Sequence, residues 1–363
     1  MGIISHFRHI RPKYEIEQCK TLDWIAKAHA VAEAKHSGRP FSELYDVMKE
    51  KVEKIGLSQA IAWRGIHIPD LFEEHWDQMP IYPLTEKPEG KGFQERSHFF
   101  DREVAEVLHA FYPHRETTPP HLIHVTCTGY VAPSPAQRVV ADHNAQATVT
   151  HAYHMGCYAS LPAIRIALGF AHTSPSVDVV HTELCSLHMH PLNHALDQLV
   201  VQGLFADGFI KYRVQKDAID EPHFRVLQLR EELIPNSTSS MTWRCGDTGL
   251  AMTLGKEVPV YIQRALPGYL KRLCDVPIQE TYFAIHPGGP KILHYIAETL
   301  GLEERQYAHS VRTLKQFGNM SSATLPHIWE MLLNDASVSR GSKIVSIAFG
   351  PGLTISGGLF EKW

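Results

Sequence analysis

From residue 121 to the C-terminus the chain alternates short β-branched runs with apolar helical stretches, and this alternation restricts the fold more than any other feature. HLIHVTCTG (121–129), VDVVHTELCS (177–186) and FIKYRV (209–214) are bounded by glycine, serine or charge. Runs of that length and composition read as strands, and strands separated by apolar helices pack in layers around a buried sheet. A polar stretch, KDAIDEPH (216–223), interrupts the pattern. Beyond it FRVLQLREELI, GLAMTLG, TYFAIHPGG and KIVSIAFGPGLTISGGLFE supply further strands, and ILHYIAETLGL and LPHIWEMLLND supply helices. The interruption predicts two successive α/β halves, 1–220 and 221–363, although no sequence self-similarity is visible between them. The first hundred residues read as mostly helical, with apolar positions at three-to-four spacing over 21–34, 40–55 and 101–112. A Pro-, Gly- and Lys-rich stretch, 80–92, reads as an exposed connector.

Composition narrows the functional classes. With 363 residues, 44% hydrophobic and 20% charged, the chain has core enough for two ordinary domains or one large duplicated fold. A formal net charge of −4 gives no broad attraction to nucleic acid or to an anionic membrane. Six cysteines without paired spacing do not make a disulfide framework and read as reduced thiols in a cytoplasmic protein. The N-terminal residues lack a signal-peptide pattern, and no run approaches the ~20 apolar residues of a membrane span. The 24 histidines include the pairs His121/His124, His151/His154 and His188/His190. Without HExxH or CxxC spacing they read as core or surface histidines, and no metal site is expected.

Three segments carry the chemistry. In HAYHMGCYASLPAIRIALGFA (151–171) Cys157 stands where an almost wholly apolar helix begins. The helix dipole and unpaired backbone N–H groups there favour thiolate over thiol. In FAIHPGGPKILHYIAETLG (283–301) a strand ends at His286 beside a Pro-Gly-Gly-Pro turn. Strand ends next to such turns present side chains to cavities. In QFGNMSSATLPHIWEML (316–332) Asn319 and Ser321 precede another apolar helix, where N-capping is the plain alternative. Cysteine, histidine and asparagine together form a nucleophilic set: the imidazole can take the thiol proton, and imidazole and amide N–H groups can hold an oxyanion. The same order suits a papain-like protease. Cys157 lies mid-chain, however, and no C-G-S-C-W-like segment occurs near the N-terminus.

GCYASLPAIRIA, FAIHPGGPKIL, FGNMSSATL and FGPGLT closely resemble the nucleophile, histidine, asparagine and cyclisation-loop motifs of the type III polyketide synthases, the chalcone and stilbene synthase family. VTCTGYVAPSPAQ, VVHTELCS and VVQGLFADG support the resemblance, which runs in order from about residue 120 to the end. It implies the thiolase fold, five αβαβα layers built from two related halves, usually as a homodimer. It also implies that Cys157 accepts an acyl group from a thioester, while His286 keeps Cys157 ionised. With Asn319, His286 would hold the oxygen of a malonyl-type thioester as it loses CO2 and condenses. Phe205 matches a gatekeeper phenylalanine, and Gly350 and Pro351 fall in the cyclisation loop.

Several positions depart from the plant pattern. Met252 replaces a second gatekeeper phenylalanine, Cys127 a threonine, Ala132 a methionine, and Cys185 and His188 two cavity threonines. Leu161 and Pro162 stand where small residues are usual. These changes in the pocket, with Ser321 beside it, favour an aliphatic acyl starter and pyrone or β-keto products over a chalcone. Lys51, Lys54 and Arg64 match the region that receives coenzyme A phosphates. The acyl donor is expected to be coenzyme A or an acyl carrier protein, with no bound cofactor. Two other classes share much of this pattern: a ketoacyl synthase III-like or carrier-protein-dependent ketosynthase, and a non-catalytic scaffold subunit. The filled Cys, His and Asn positions argue against the scaffold.

Overall fold

The computed structural model describes residues 2–363. Its N-terminal part comprises β1 (Gly2–Ile10), β2 (Tyr14–Glu17), α1 (Gln18–Ser37), α2 (Phe41–Glu53), β3 (Trp63–Ile66) and α3 (Phe93–Phe111). Then come β4 (His121–Thr126), α4 (Pro135–Asp142), β5 (Thr148–Tyr153), α5 (Ser160–Phe170), β6 (Val177–Glu183), α6 (Leu196–Leu204) and β7 (Gly208–Gln215). The rest comprises β8 (Phe224–Leu233), β9 (Met241–Gly246), β10 (Gly249–Leu254), α7 (Val258–Leu273) and β11 (Tyr282–Ile285). It ends with α8 (Pro290–Leu300), α9 (Glu304–Phe317), α10 (Thr324–Asn334), β12 (Lys343–Gly350) and β13 (Thr354–Lys362).

Nine strands are hydrogen-bonded in the order β5-β4-β6-β7-β1-β8-β13-β12-β11. On one side β4 and β6 are parallel, and β6–β7 and β7–β1 are antiparallel. On the other side β11 and β12 are parallel, and β12–β13 and β13–β8 are antiparallel. The same succession of strand senses thus occurs twice, and the two runs meet where Gly2–Ile4 of β1 pairs with Phe224–Val226 of β8.

Side-chain alternation along the strands sorts the apolar residues into layers. Ile123, Val125, Val177 and Val179 face an inner core that also takes Ala284, Ile344 and Ala348. Their neighbours Leu122 and Val180 point to an outer core with α1 and α3, whereas Phe283, Ile285, Val345 and Ile347 point to another with α7 and α8. α5 packs on β4, β6 and β7 and also touches β13, so it lies between the two strand runs; α10 lies there too, against β1, β7 and β11. Helix, sheet, helix, sheet, helix is the layering expected of the thiolase fold.

Two expectations for the first hundred residues need correction. GIISHFRHI lacks a clean period of two, yet it forms β1 in the middle of the sheet, because its first four residues, Gly2–Ser5, are buried and need no polar face while His6–Ile10 run out toward the surface. The 80–92 stretch is irregular but not wholly exposed. Ile81, Tyr82 and Leu84 are buried, and the Tyr82 hydroxyl donates to Ser186 O and accepts from Met189 N. Among the described residues no helix is long and apolar enough to cross a membrane, and no group of three His, Cys, Asp or Glu is placed to hold a metal ion.

Candidate active site

Cys157 occupies the turn between β5 and α5, three residues before the helix starts. Pro162 falls in the first turn of α5, where its missing N–H costs nothing. Gly156 has φ +83°, and a Cβ there would stand 2.5 Å from Pro351 Cδ. Only glycine therefore lets the FGPGLT loop close against the backbone beside the sulphur. Gly350 serves the same closure from the other side: its Cβ would meet the Tyr158 ring at 2.3 Å.

The expected activation of Cys157 by the helix start is overturned. Burial pushes the thiol up to about 12. Ser321 pulls the other way, the Glu183 carboxylate pushes further up, and Asn319 pulls down. The resting side chain is a thiol, because removal from water outweighs a helix dipole that begins a turn later. Ser321 Oγ lies 4.0 Å from the sulphur. Its φ of +50° is uncommon for a residue with a side chain. The Asn319 Oδ1 atom, accepting from Ser321 N at 2.9 Å, holds it there.

Asn319 is laced to the end of α6: its N–H donates to Leu204 O (3.1 Å), and its own carbonyl accepts from Ala206 N (2.8 Å). With Oδ1 committed to Ser321 N and Thr324 Oγ1, the Asn319 amide NH2 is left for the sulphur and the cavity. His286 follows β11, and its N–H continues the parallel ladder to Ile347 O at 2.8 Å. Both ring nitrogens are buried without a hydrogen-bond partner. Burial lowers its pKa to about 3, so the ring is neutral. An unsatisfied buried polar atom costs about 1–3 kcal/mol. A ring with two of them, beside a cavity, is arranged for a guest.

Two cavities meet at the cysteine. A tunnel of about 490 Å3 is lined by Cys157, His286 and Asn319 and walled by apolar side chains such as Leu57, Val200, Leu254 and Ile262. An inner chamber of about 50 Å3 takes Cys127, Cys185, His188, Ser321 and Pro351 as walls. Cys157, Phe205, Met241 and Met252 line both, so Phe205 and Met252 stand at the junction. His188 is a strut: Nε2–H donates to Thr128 O (2.8 Å) and Nδ1 accepts from Leu250 N (3.2 Å), leaving neither nitrogen for a substrate. It ties down the β9–β10 hairpin, which Trp243 also anchors by donating Nε1–H to Cys127 O at 2.7 Å.

Four sequence assignments are displaced. Ala132 is exposed, in the loop before α4, and lines neither cavity. Arg64 is not at the tunnel mouth. It is buried, and Nη1 donates to Gln202 O (2.7 Å) and Phe205 O (2.5 Å), carbonyls that the end of α6 leaves open. Burial lowers its pKa to about 10, against the upward pull of the Asp207 carboxylate. Lys51 and Lys54 belong to the end of α2 and line neither cavity; Lys54 pairs with Glu50 at 2.6 Å. The cations on the tunnel wall are Lys256 and Lys291, both exposed. Their signal was positional, since each follows a strand or a Gly-rich turn where functional loops concentrate. Glu183 was also missed. It ends β6, buried, and its carboxylate accepts from Cys127 N (3.0 Å), Thr128 Oγ1 (2.9 Å) and Ser322 Oγ, binding together the segments behind the sulphur.

A layered α/β chain in which an apolar tunnel reaches a buried cysteine has the arrangement found in condensing acyltransferases. Residues 226–362 match the family described as chalcone and stilbene synthases, C-terminal domain. The α-pyrone synthesis polyketide synthase-like Pks18 of Mycobacterium tuberculosis is 26% identical over 326 residues, 86% of this chain and 82% of that one. Probable polyketide synthase 1 of Dictyostelium discoideum is 29% identical over 252 residues, 65% of this chain, a match that spans only 8% of that protein's length. The crystal structure of the C-terminal type III polyketide synthase domain of Steely1, from Dictyostelium, superposes with a TM-score of 0.82 at 23% identity, covering 99% of each chain. The chain thus resembles the type III polyketide synthases in fold and, over residues 226–362, matches the C-terminal domain of the chalcone and stilbene synthases.

Proposed function

We propose that this chain loads an acyl group on Cys157 and extends it by decarboxylative Claisen condensation with a malonyl-type thioester. His286 accepts the thiol proton as the sulphur attacks the starter thioester, and the donor leaves as a free thiol. The extender's thioester oxygen then sits against His286 and the Asn319 amide. These N–H donors stabilise the enolate formed as CO2 departs, each worth roughly 3–4 kcal/mol when well placed. The enolate carbon attacks the acyl carbonyl, the new C–C bond forms, and the Cys157 thiolate is expelled. The observation that carries this reading is the buried His286 ring, with no partner on either nitrogen, facing the same tunnel as Cys157 and Asn319.

Lys256 and Lys291 on the tunnel wall suit the phosphates of coenzyme A or of a carrier protein's phosphopantetheine arm. The apolar tunnel suits an aliphatic starter, and the likeness to an α-pyrone synthesis protein suits release as a pyrone. The division into halves at 1–220 and 221–363 is supported by the repeated strand succession. A homodimer is supported by β5, which ends the sheet with one edge unpaired.

Incubating the protein with an acyl-CoA and malonyl-CoA, and weighing both protein and products, tests the chemistry. The expected result is an acyl adduct on Cys157 and pyrone or β-keto products, both lost in Cys157→Ala. A Cys157→Ala protein with full condensing activity overturns the proposal. Release after a single extension, as a β-ketoacyl carrier thioester, favours the ketoacyl synthase reading.

A further inference from the structure

The inner chamber is small, and the surface it presents to its own interior is mostly apolar. At about 50 Å3 it has room for only a few water-sized groups. One residue links it to the outside. Leu71, 3% exposed, lines the chamber and also a separate surface groove of about 540 Å3 whose apolar wall includes Ile16, Trp24, Trp63 and Phe72. Among the described residues no other side chain belongs to both. Leu71 is carried on a short 3-10 turn, Pro69–Phe72, whose backbone is pinned. The Asp70 carboxylate accepts from Ile81 N (2.9 Å) and Tyr82 N (2.7 Å). With that turn held, Leu71 is the one described residue that lines both chamber and groove, and its side chain can change rotamer.

We propose that Leu71 is a plug that sets the longest acyl starter the enzyme accepts, and that the starter is an unbranched aliphatic chain seated with its ω-end against it. This rests on the reading of Cys157 as the acyl carrier and adds to it where the chain goes. From the sulphur, a short chain fills the chamber. A longer one reaches the groove only where the Leu71 side chain gives way. The groove also carries four carboxylates, Glu15, Glu17, Asp23 and Glu74, against one lysine, Lys20, which pairs with Glu17 at 3.1 Å. An emerging methyl end is tolerated there, whereas an ω-carboxylate is repelled. The starter class is therefore neutral at its far end. Acyl transfer itself is an exchange of thioesters: the Cys157 C–S bond forms, the donor C–S bond breaks, and the thiol proton ends on the departing sulphur.

The test uses the full chain as wild type, Leu71→Ala and Leu71→Trp, each given butyryl-, octanoyl- and dodecanoyl-CoA, with acylation of Cys157 followed by intact-protein mass spectrometry. The expected result is a dodecanoyl-to-butyryl rate ratio raised at least tenfold in Leu71→Ala and lowered at least tenfold in Leu71→Trp. Butyryl acylation in each variant shows that it is folded. If Leu71→Ala has lost butyryl acylation, Leu71→Val, a smaller enlargement, decides by the same ratio. Wild type is also expected to take an ω-carboxylated twelve-carbon thioester at least tenfold more slowly than dodecanoyl-CoA. An unchanged dodecanoyl-to-butyryl ratio with butyryl acylation intact overturns the role of Leu71 and leaves the reading of Cys157 standing. Failure of every thioester to acylate Cys157 overturns both.

Discussion

Burial acts on Cys157 and His286 in opposite directions, raising the thiol to about 12 and lowering the imidazole to about 3, and so holds both side chains neutral before substrate arrives. Alkylation of Cys157 by iodoacetamide, read by peptide mass spectrometry, is accordingly expected to be slow at pH 7 and to rise about tenfold per pH unit up to about pH 11. A rate already level at pH 8 would contradict this. Burial holds Glu183 above the usual carboxylate range, and where it is ionised its charge pushes the Cys157 thiol further up. Glu183→Gln should therefore speed alkylation at pH 8 severalfold, even though it weakens the contacts to Cys127 N and Thr128 Oγ1. The positions of Cys157, His286 and Asn319 were legible because each stands at a local boundary, a helix start or a strand end, that sequence pattern marks. The protonation state of Cys157 was not, since it depends on water excluded by residues distant in sequence, Ser321 and Pro351 among them.

At the scale of elements, the end of α6 carries Phe205 to the junction of the two cavities and fixes Asn319 beside it. Arg64 holds that end by donating to Gln202 O and Phe205 O. Arg64→Met leaves two buried carbonyls without donors and is expected to cost about 2–4 kcal/mol, read as a lower urea midpoint. A destabilisation under about 0.5 kcal/mol would show that water or a neighbouring donor replaces the guanidinium. From sequence, Arg64 and the lysines of α2 look alike, basic residues in one early region. Only the strand that carries Arg64, β3, turns it inward. The helices at 21–34, 40–55 and 101–112 were legible from their periodicity, whereas β1 was not, because its burial comes from pairing with strands some two hundred residues away.

The whole molecule is expected to lose stability in acid. His29, His67 and His327 are lowered to about 4, and His124, His181, His188 and His286 to about 3, all chiefly by burial. Unfolded histidines bind protons near pH 6.5. Their contribution is therefore complete above that pH and drains away as pH falls toward 3. Asp70 and Asp207, raised to about 6, act in the opposite sense, adding stability as pH falls through 6. Seven histidines against two aspartates leave a net loss. Urea midpoints should fall steadily from pH 6.5 to pH 4, with proton uptake on unfolding of more than one per chain; a flat profile would mean that the buried histidines are charged in the fold. At the alkaline end the raised Cys157 thiol stabilises below about pH 9, and that contribution is lost as pH climbs toward 12.

β1 is made long before it is housed. Ile4 lies opposite Val214, and Gly2 opposite Val226. A ribosome adding ~5–20 residues per second delivers those partners roughly 10–40 s after the strand itself has emerged. Throughout that interval an apolar segment waits with both edges open. The order of synthesis therefore hands this protein a period of exposure that refolding from denaturant does not impose, and the yield of active enzyme in a cell will depend on what shields those few residues while the rest of the sheet is still being translated.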